Sequence, residues 1–208
     1  MVTILLMPSA TTPAISRITR RAQIMNAALE AFVDEGYHNT SMETIAERVG
    51  VTKPVLYRHF SSKLELYLAI VDAQTDELVS RVQTALDTPV DHERERVRAA
   101  FAAYFNYIEA EGAAFRLIFE SDVTANEALR EHVERSSRLC AGEISRQLRA
   151  VADLTDAQAH LLATALLGMA QITARTRLRD PRGVSSSEAI DLLTQLAWRG
   201  LSRFPALD

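Results

Sequence analysis

The stretch GVTKPVLYRHFSSK, residues 50–63, contains both lysines of the chain, Lys53 and Lys63, whereas the remaining long basic side chains are all arginines. Thr52 and Ser62 are residue types that favour the N-cap position, so each lysine is predicted to lie in the first turn of a helix. Free backbone amides and the positive end of the helix dipole attract anions at such a position. We therefore expect both lysines to face a polyanion.

Two further helix boundaries lie upstream of this stretch. Gly36 is placed to end the first helix in the left-handed conformation, and the second helix ends at Gly50. The second helix begins at Thr40 or Ser41, either of which can cap it, and Glu43 is placed to close a capping box on Thr40. Two short helices joined by a tight turn containing glycine, and packed on a preceding helix, predict a helix-turn-helix.

The second short helix of a helix-turn-helix enters the major groove of DNA, so its outward side chains can contact bases and phosphates. Lys53 and Arg58 supply cations there, while Pro54 and Tyr57 can touch thymine methyl groups. The predicted DNA-binding residues are Thr40, Ser41, Thr52, Lys53, Pro54, Tyr57, Arg58, His59 and Lys63. Simpler roles stay open for three of them: half-buried packing for Tyr57, a surface charge for Arg58 and a solvated histidine for His59.

Apolar residues recur at helical spacing along the chain, and glycines and prolines lie at segment ends, so the predicted fold is all-α. Nine helices are expected, at residues 17–35, 40–50, 52–60, 62–85, 91–110, 113–121, 126–151, 155–178 and 187–204. The predicted organisation is a mostly disordered arm (1–16), a helix-turn-helix DNA-binding domain (17–63) and a helical body (64–208).

The net charge of −4 conceals an asymmetry along the chain. Residues 1–63 carry seven basic and five acidic side chains, whereas the remainder carries 16 basic and 22 acidic ones. A small basic module on an acidic body favours a nucleic-acid partner for the module. The N-terminal apolar run stops at Pro8, too short for a signal peptide or a membrane span. Because Cys140 has no second cysteine to pair with, we expect a cytoplasmic protein.

An enzymatic function finds little support in the sequence. There is no nucleophile elbow and no glycine-rich phosphate loop, and the histidines His38, His92, His132 and His160 lack metal-ligand spacing. We expect neither a cofactor nor a metal. The more serious rival is a structural DNA-binding protein without ligand control, although such a protein does not need so large an acidic body.

The residues resemble those of the TetR family of bacterial transcription regulators. The N-terminal signature of that family is matched along residues 22–68, by an Ala-Ala-x-x-x-Phe helix and by GYHNTSMETIAERVGVTKPVLYRHFSSKLEL. The matching residues are Ala27, Ala28, Phe32, Gly36, Thr40, Ile45, Ala46, Gly50, Val51, Leu56, Tyr57, Phe60 and Lys63. Pro54 stands where many members carry Gly or Ala, although others carry Pro.

The resemblance implies a homodimer that reads a pseudo-palindromic DNA operator, with residues 64–208 forming a ligand-binding and dimerisation domain. The segments KPVLYRHFSSKLELYLAIV, FRLIFESD and LAWRGLSRFP are similar to actinobacterial regulators of fatty acid synthase genes, which respond to long-chain acyl-CoA. This similarity implies control of lipid or fatty-acid genes. The alternative is a TetR-type repressor of an efflux or catabolic gene that responds to another apolar small molecule.

Aromatic and aliphatic residues of the body are candidates for the lining of an elongated apolar pocket suited to an acyl chain. They are Tyr104, Phe105, Ile108, Phe115, Phe119, Leu139, Ile144, Leu166 and Met169. Plain core packing is the alternative for most of them, because a helical body of this size needs such a filling. Arg116 or Arg138 near the mouth can neutralise a carboxylate or a phosphate.

The stretch LLATALLGMAQITA, residues 161–174, is apolar on nearly every face and rich in small residues, so protein must enclose it. Four residues of the last helix complete a candidate four-helix dimer interface. They are Leu192, Leu193, Leu196 and Ala197. Ordinary monomer core is the alternative.

Overall fold

The computed structural model describes residues 17–112, 127–180 and 183–201, and every regular element in these ranges is a helix. The eight helices are α1 (Arg17–Glu35), α2 (Met42–Val49), α3 (Lys53–His59), α4 (Lys63–Asp87), α5 (Glu93–Ala110), α6 (Glu127–Val151), α7 (Asp156–Arg179) and α8 (Ser186–Leu201). The predicted all-α class is confirmed. The expected arm at residues 1–16 and the expected helix at 113–121 lie outside the described residues.

The helix ends that depend on glycine form where the sequence predicts them. Gly36 and Gly50 adopt φ values of 81° and 71°, which residues with a Cβ rarely adopt. The amide of Gly50 donates to the carbonyl oxygens of Ala46 and Glu47 and so satisfies the end of α2. The α2–α3 connection is therefore as tight as a helix-turn-helix requires.

The start of α2 differs from the predicted capping box. Ser41 is the N-cap, and its hydroxyl accepts a hydrogen bond from the Thr44 amide at 3.0 Å. Thr40 is buried instead, and its hydroxyl donates to Gly36 O at 2.8 Å, with Ala31 O at 3.2 Å. The predicted capping box on Thr40 is wrong, because the Thr40 hydroxyl attaches the α1–α2 turn to α1 and does not cap α2.

Two hydrophobic cores follow one another along the molecule, and α4 contributes to both. Leu66 and Val71, in the first half of α4, pack in a core with α1, α2 and α3. Leu78 and Leu86, in the second half, pack in a core with α5 to α8. A displacement of α4 is therefore felt in both cores. Within the described ranges, no helix is long and apolar enough to cross a membrane.

Candidate nucleic-acid interface and effector cavity

Helix α3 separates an apolar inner face from a polar outer face. Leu56 and Phe60 are fully buried. The outward residues are exposed, as predicted: Thr52, Lys53, Pro54, Tyr57 and Arg58. Tyr57 has an exposed fraction of 41%, so part of its ring is accessible on this face. Because these residues are exposed in the part of the chain that the structure describes, this face can enter a groove.

The partner of Lys53 is the carboxylate of Glu43, which was predicted to close the capping box of α2. The ammonium group of Lys53 forms an ion pair with Glu43, and it lies 5.9 Å from the centre of the Tyr57 ring. The hydrogen bond between the two side chains lowers the pKa of Glu43 and raises the pKa of Lys53. Both side chains are more than half exposed, so a phosphate can compete with Glu43 for the lysine.

Lys63 lies in the first turn of α4, as predicted, but its ammonium group is turned towards the protein. It donates to Tyr37 O at 2.7 Å and Thr40 O at 2.9 Å, with His38 O at 3.4 Å, and lies 4.5 Å from the centre of the Tyr37 ring. Burial lowers the pKa of this lysine. The three donors of an ammonium group match three carbonyl acceptors, so Lys63 fastens α4 to the α1–α2 turn.

Arg21 joins α1 to the end of α3 in a similar way, and it was not among the predicted site residues. Its guanidinium donates to His59 O at 2.9 Å and lies 4.0 Å from the centre of the Phe60 ring. Partial burial, followed by the charges of Arg17 and other nearby arginines, lowers the pKa of His59. The end of α3 is therefore a cationic region that α1 and α3 build together. The spacing of the arginines in α1 was the available signal.

A cavity of about 320 Å³ lies in the second core, between helices α4 to α8. Three predicted residues line it, namely Tyr104, Ile144 and Leu166. Four others belong elsewhere: Phe105 and Ile108 are buried in the surrounding core, Met169 packs against that core, and Leu139 is partly exposed. Phe115 and Phe119 lie outside the described residues. The lining also includes residues outside the predicted set, among them Leu86, Val97, Leu148, Leu154 and Trp198.

The cavity lining includes buried apolar residues, accessible residues and a few polar side chains. Tyr104 and Leu167 are almost inaccessible to solvent, whereas Val151 has an exposed fraction of 38%. Polar lining is supplied by Glu93, Arg96 and Gln147. The predicted anion partners differ from these, since Arg138 is exposed beside Glu134 and Arg116 lies outside the described residues.

The stretch at 161–174 has one buried face and one exposed face. Ala163, Leu167, Ala170 and Ala174 face the second core. On the opposite side, Leu161 and Ile172 are 71% and 62% exposed. The last helix repeats this division, because Leu193 and Ala197 are buried while Leu192 and Leu196 are more than half exposed. Exposed apolar residues on two helices form a surface that a protein partner can cover.

Comparison with known proteins decides the family. Residues 24–70 match the family described as "Bacterial regulatory proteins, tetR family". The chain is also 41% identical to the HTH-type transcriptional activator FasR of Mycolicibacterium smegmatis, over 91% of this chain and 86% of that protein. The chain belongs to the TetR family. It is a DNA-binding transcription regulator rather than an enzyme. The likeness to FasR supports the similarity to actinobacterial regulators of fatty acid synthase genes that the sequence indicates.

Two solved structures share this architecture. A TetR-like transcriptional regulator from Rhodococcus sp. RHA1 superposes with a TM-score of 0.68 at 28% identity, covering 90% of this chain and 98% of that one. The protein in a SmeT–triclosan complex superposes with a TM-score of 0.70 at 20% identity, covering 87% of this chain and 90% of that one. The second likeness shows the fold alone.

Proposed function

We propose that this TetR-family protein is a ligand-responsive regulator that binds a pseudo-palindromic operator as a homodimer and controls fatty-acid genes in response to long-chain acyl-CoA. The DNA-binding part of this proposal rests on the outer face of α3, where Lys53, Tyr57 and Arg58 are exposed. On the inner face, Leu56 and Phe60 are buried. Such an outer face suits a major groove because it combines cations with a flat aromatic ring.

The proposed DNA contacts follow the geometry of the helices. Ser41, Thr52, Lys53, Pro54, Tyr57, Arg58 and His59 make up the contact surface in this proposal. Thr40 and Lys63 support that surface by holding the α1–α2 turn, since their polar atoms are bonded to backbone carbonyls. Phosphates next to the N-terminus of α2 and the end of α3 then set the register of the dimer on its operator.

The homodimer is supported by the apolar surface of α7 and α8. Leu161, Ile172, Leu192 and Leu196 are each more than half exposed, and a monomer in water gains nothing from such a surface. Two-fold pairing of α7 and α8 covers these residues and presents two α3 helices to successive half-sites. Light scattering on the purified chain and on Leu196→Glu tests the pairing, with a dimer expected for the first and a monomer for the second.

The effector is an apolar small molecule in this proposal because the cavity is lined almost entirely by apolar side chains. The likeness to FasR favours long-chain acyl-CoA, and because that relative is a transcriptional activator, activation is favoured over repression. The regulator then acts in the cytoplasm, where chromosomal DNA and acyl-CoA are both present.

An operator-binding assay on the region upstream of the protein's own gene and its neighbours tests the proposal. Binding that a long-chain acyl-CoA abolishes or strengthens is the expected result, and an in vitro transcription assay then gives the direction of control. Binding that responds instead to a different apolar compound supports the alternative regulator of efflux or catabolic genes. Failure to bind any upstream region contradicts the DNA-binding half.

A further inference from the structure

The C-terminal end of α4 is held by side chains that also line the cavity. The last carbonyl groups of a helix have no intrahelical partner, so other donors must satisfy them. Leu86 O accepts hydrogen bonds from Arg96 Nη1 and, at 3.1 Å, from Gln147 Nε2. Arg96 also donates to Thr88 O at 3.2 Å. Leu86, Arg96 and Gln147 all line the cavity.

Most donors of Arg96 are already in use. Its Nε donates to Glu93 at 3.0 Å, its Nη2 makes a longer contact of 3.5 Å with the same carboxylate, and its Nη1 serves the two carbonyl oxygens at the end of α4. The side chain of Arg96 is only 18% exposed, so water replaces these partners poorly. Gln147 is similarly occupied, because its amide nitrogen also donates to the Asp87 carboxylate at 3.0 Å. A ligand oxygen that binds Arg96 Nη1 or the Gln147 amide nitrogen must compete with the end of α4.

We infer that Arg96 and Gln147 recognise the polar head of the effector, which carries acceptor oxygens of a carboxylate or an acyl thioester, and release the end of α4 when they do so. This inference rests on the proposed function in one respect, namely that the cavity takes an apolar effector. The tail lies towards Tyr104, which is eight residues beyond Arg96 on α5 and so about 12 Å along the helix axis. The head lies at Glu93, Arg96 and Gln147.

The coupling to DNA follows from the path of α4. Its first turn holds the α1–α2 turn through Lys63, and its last turn is held by the two cavity residues. A ligand shifts a conformational equilibrium only by its differential affinity for the two states. An effector that replaces Leu86 O at Arg96 has such a difference, whereas an apolar molecule that leaves these bonds intact fills the cavity without moving α4.

Trp198 provides the measurement because it is the single tryptophan of the chain and lines the cavity. Its fluorescence is followed in the full-length protein while dodecanoate, dodecanoyl-CoA or dodecanol is added below its micelle concentration. The three probes share one tail and differ in the head. The head-group preference is the dissociation constant of dodecanol divided by that of dodecanoate or of dodecanoyl-CoA.

The variants are Arg96→Gln and Gln147→Met, with Arg146→Gln as the matched control. Arg146 binds the same helix end, at Asp87 with a distance of 2.7 Å, but it does not line the cavity. We expect Arg96→Gln to lower the preference by about tenfold or more, which is the factor for losing a charge-assisted hydrogen bond. Gln147→Met lowers it less, and Arg146→Gln leaves it unchanged.

Comparison of dodecanoate with dodecanoyl-CoA shows which head group supplies the oxygen that Arg96 binds. A larger loss for dodecanoate identifies the carboxylate, and a larger loss for dodecanoyl-CoA identifies the thioester and its phosphates. An unchanged preference in Arg96→Gln, or an equal change in Arg146→Gln, overturns the inference while the cavity remains an effector site. If none of the probes alters the fluorescence of the wild-type protein, the proposed effector class and this inference both fail.

Discussion

The two hydrophobic cores use polar side chains in different ways. Around the first core, Arg21, Thr40 and Lys63 donate to backbone carbonyls and fasten one helix to the next. In the second core, Arg96 and Gln147 also donate to backbone carbonyls, but they do so at the edge of a cavity. The same kind of bond thus joins helices in the first core, whereas in the second core it lies where our proposal places a ligand.

The largest expected effect separates the two cores. Phe60 is fully buried in the first core, and Phe101 lines the cavity of the second. Phe60→Ala should destabilise the α1–α3 unit by about 3–5 kcal/mol, because it leaves a cavity in a packed core. Urea unfolding measures this loss, and operator binding should disappear with it.

Phe101→Ala is the matched variant and should give the opposite pattern. Its Trp198 response to ligand changes because the lining changes, whereas its operator binding without ligand is kept. If both variants lose operator binding to the same degree, the two cores do not act as separate units.

The second effect separates the two lysines. Lys63→Met leaves the carbonyl groups of Tyr37 and Thr40 without their charged donor, so stability should fall by about 1–3 kcal/mol. Lys53→Met removes an exposed ion pair and should change stability much less than Lys63→Met does. Thermal unfolding of the two variants measures this difference.

The same two variants differ in salt dependence. Lys53→Met should lower the slope of log affinity against log salt concentration by about one, as expected for one lost phosphate contact. A slope that changes for Lys63→Met and stays constant for Lys53→Met would assign the phosphate contact to the other lysine.

A smaller gain is expected from Glu43→Gln. The carboxylate faces the same side as Lys53 and competes with DNA for it, so its removal should tighten operator binding by a few-fold at low salt. Gel-shift titrations at two salt concentrations measure the gain. Glu47→Gln, an exposed change on the same helix, is the control and should have a weaker effect.

The smallest effect concerns His59. Burial and the neighbouring arginines lower its pKa in the free protein, whereas nearby phosphates favour the protonated form and raise the pKa in the complex. The resulting gain in affinity is complete below the pKa of the free protein and is lost as pH rises through the pKa of the complex. Affinity should therefore rise modestly from about pH 7.5 to about pH 5.5.

His59→Asn tests the origin of this pH dependence. The variant keeps a hydrogen-bonding side chain but cannot gain the proton in this range. A flat affinity profile is expected, and a profile that still rises as in the wild type excludes His59 as the group responsible.

Local signals in the sequence predicted the helix-turn-helix closely. Gly36 and Gly50 require a positive φ, and Leu56 and Phe60 have helical spacing, so each feature is decided within a few residues. The cavity was predicted less well, because Trp198 and Arg96 come from distant parts of the chain. Local spacing carries no information on which helix ends meet.

By itself, the sequence determined the all-α class, the position of the DNA-binding unit and the start of α3 and α4 at Lys53 and Lys63. These properties depend on caps, glycines and apolar periodicity, which act between neighbours in the chain. Only the tertiary structure decided that Lys63 faces backbone carbonyls and that Arg96 and Gln147 join the cavity to the end of α4. The partners of a long polar side chain depend on which carbonyls folding brings within its reach, and these lie 10 to 61 residues away along the chain.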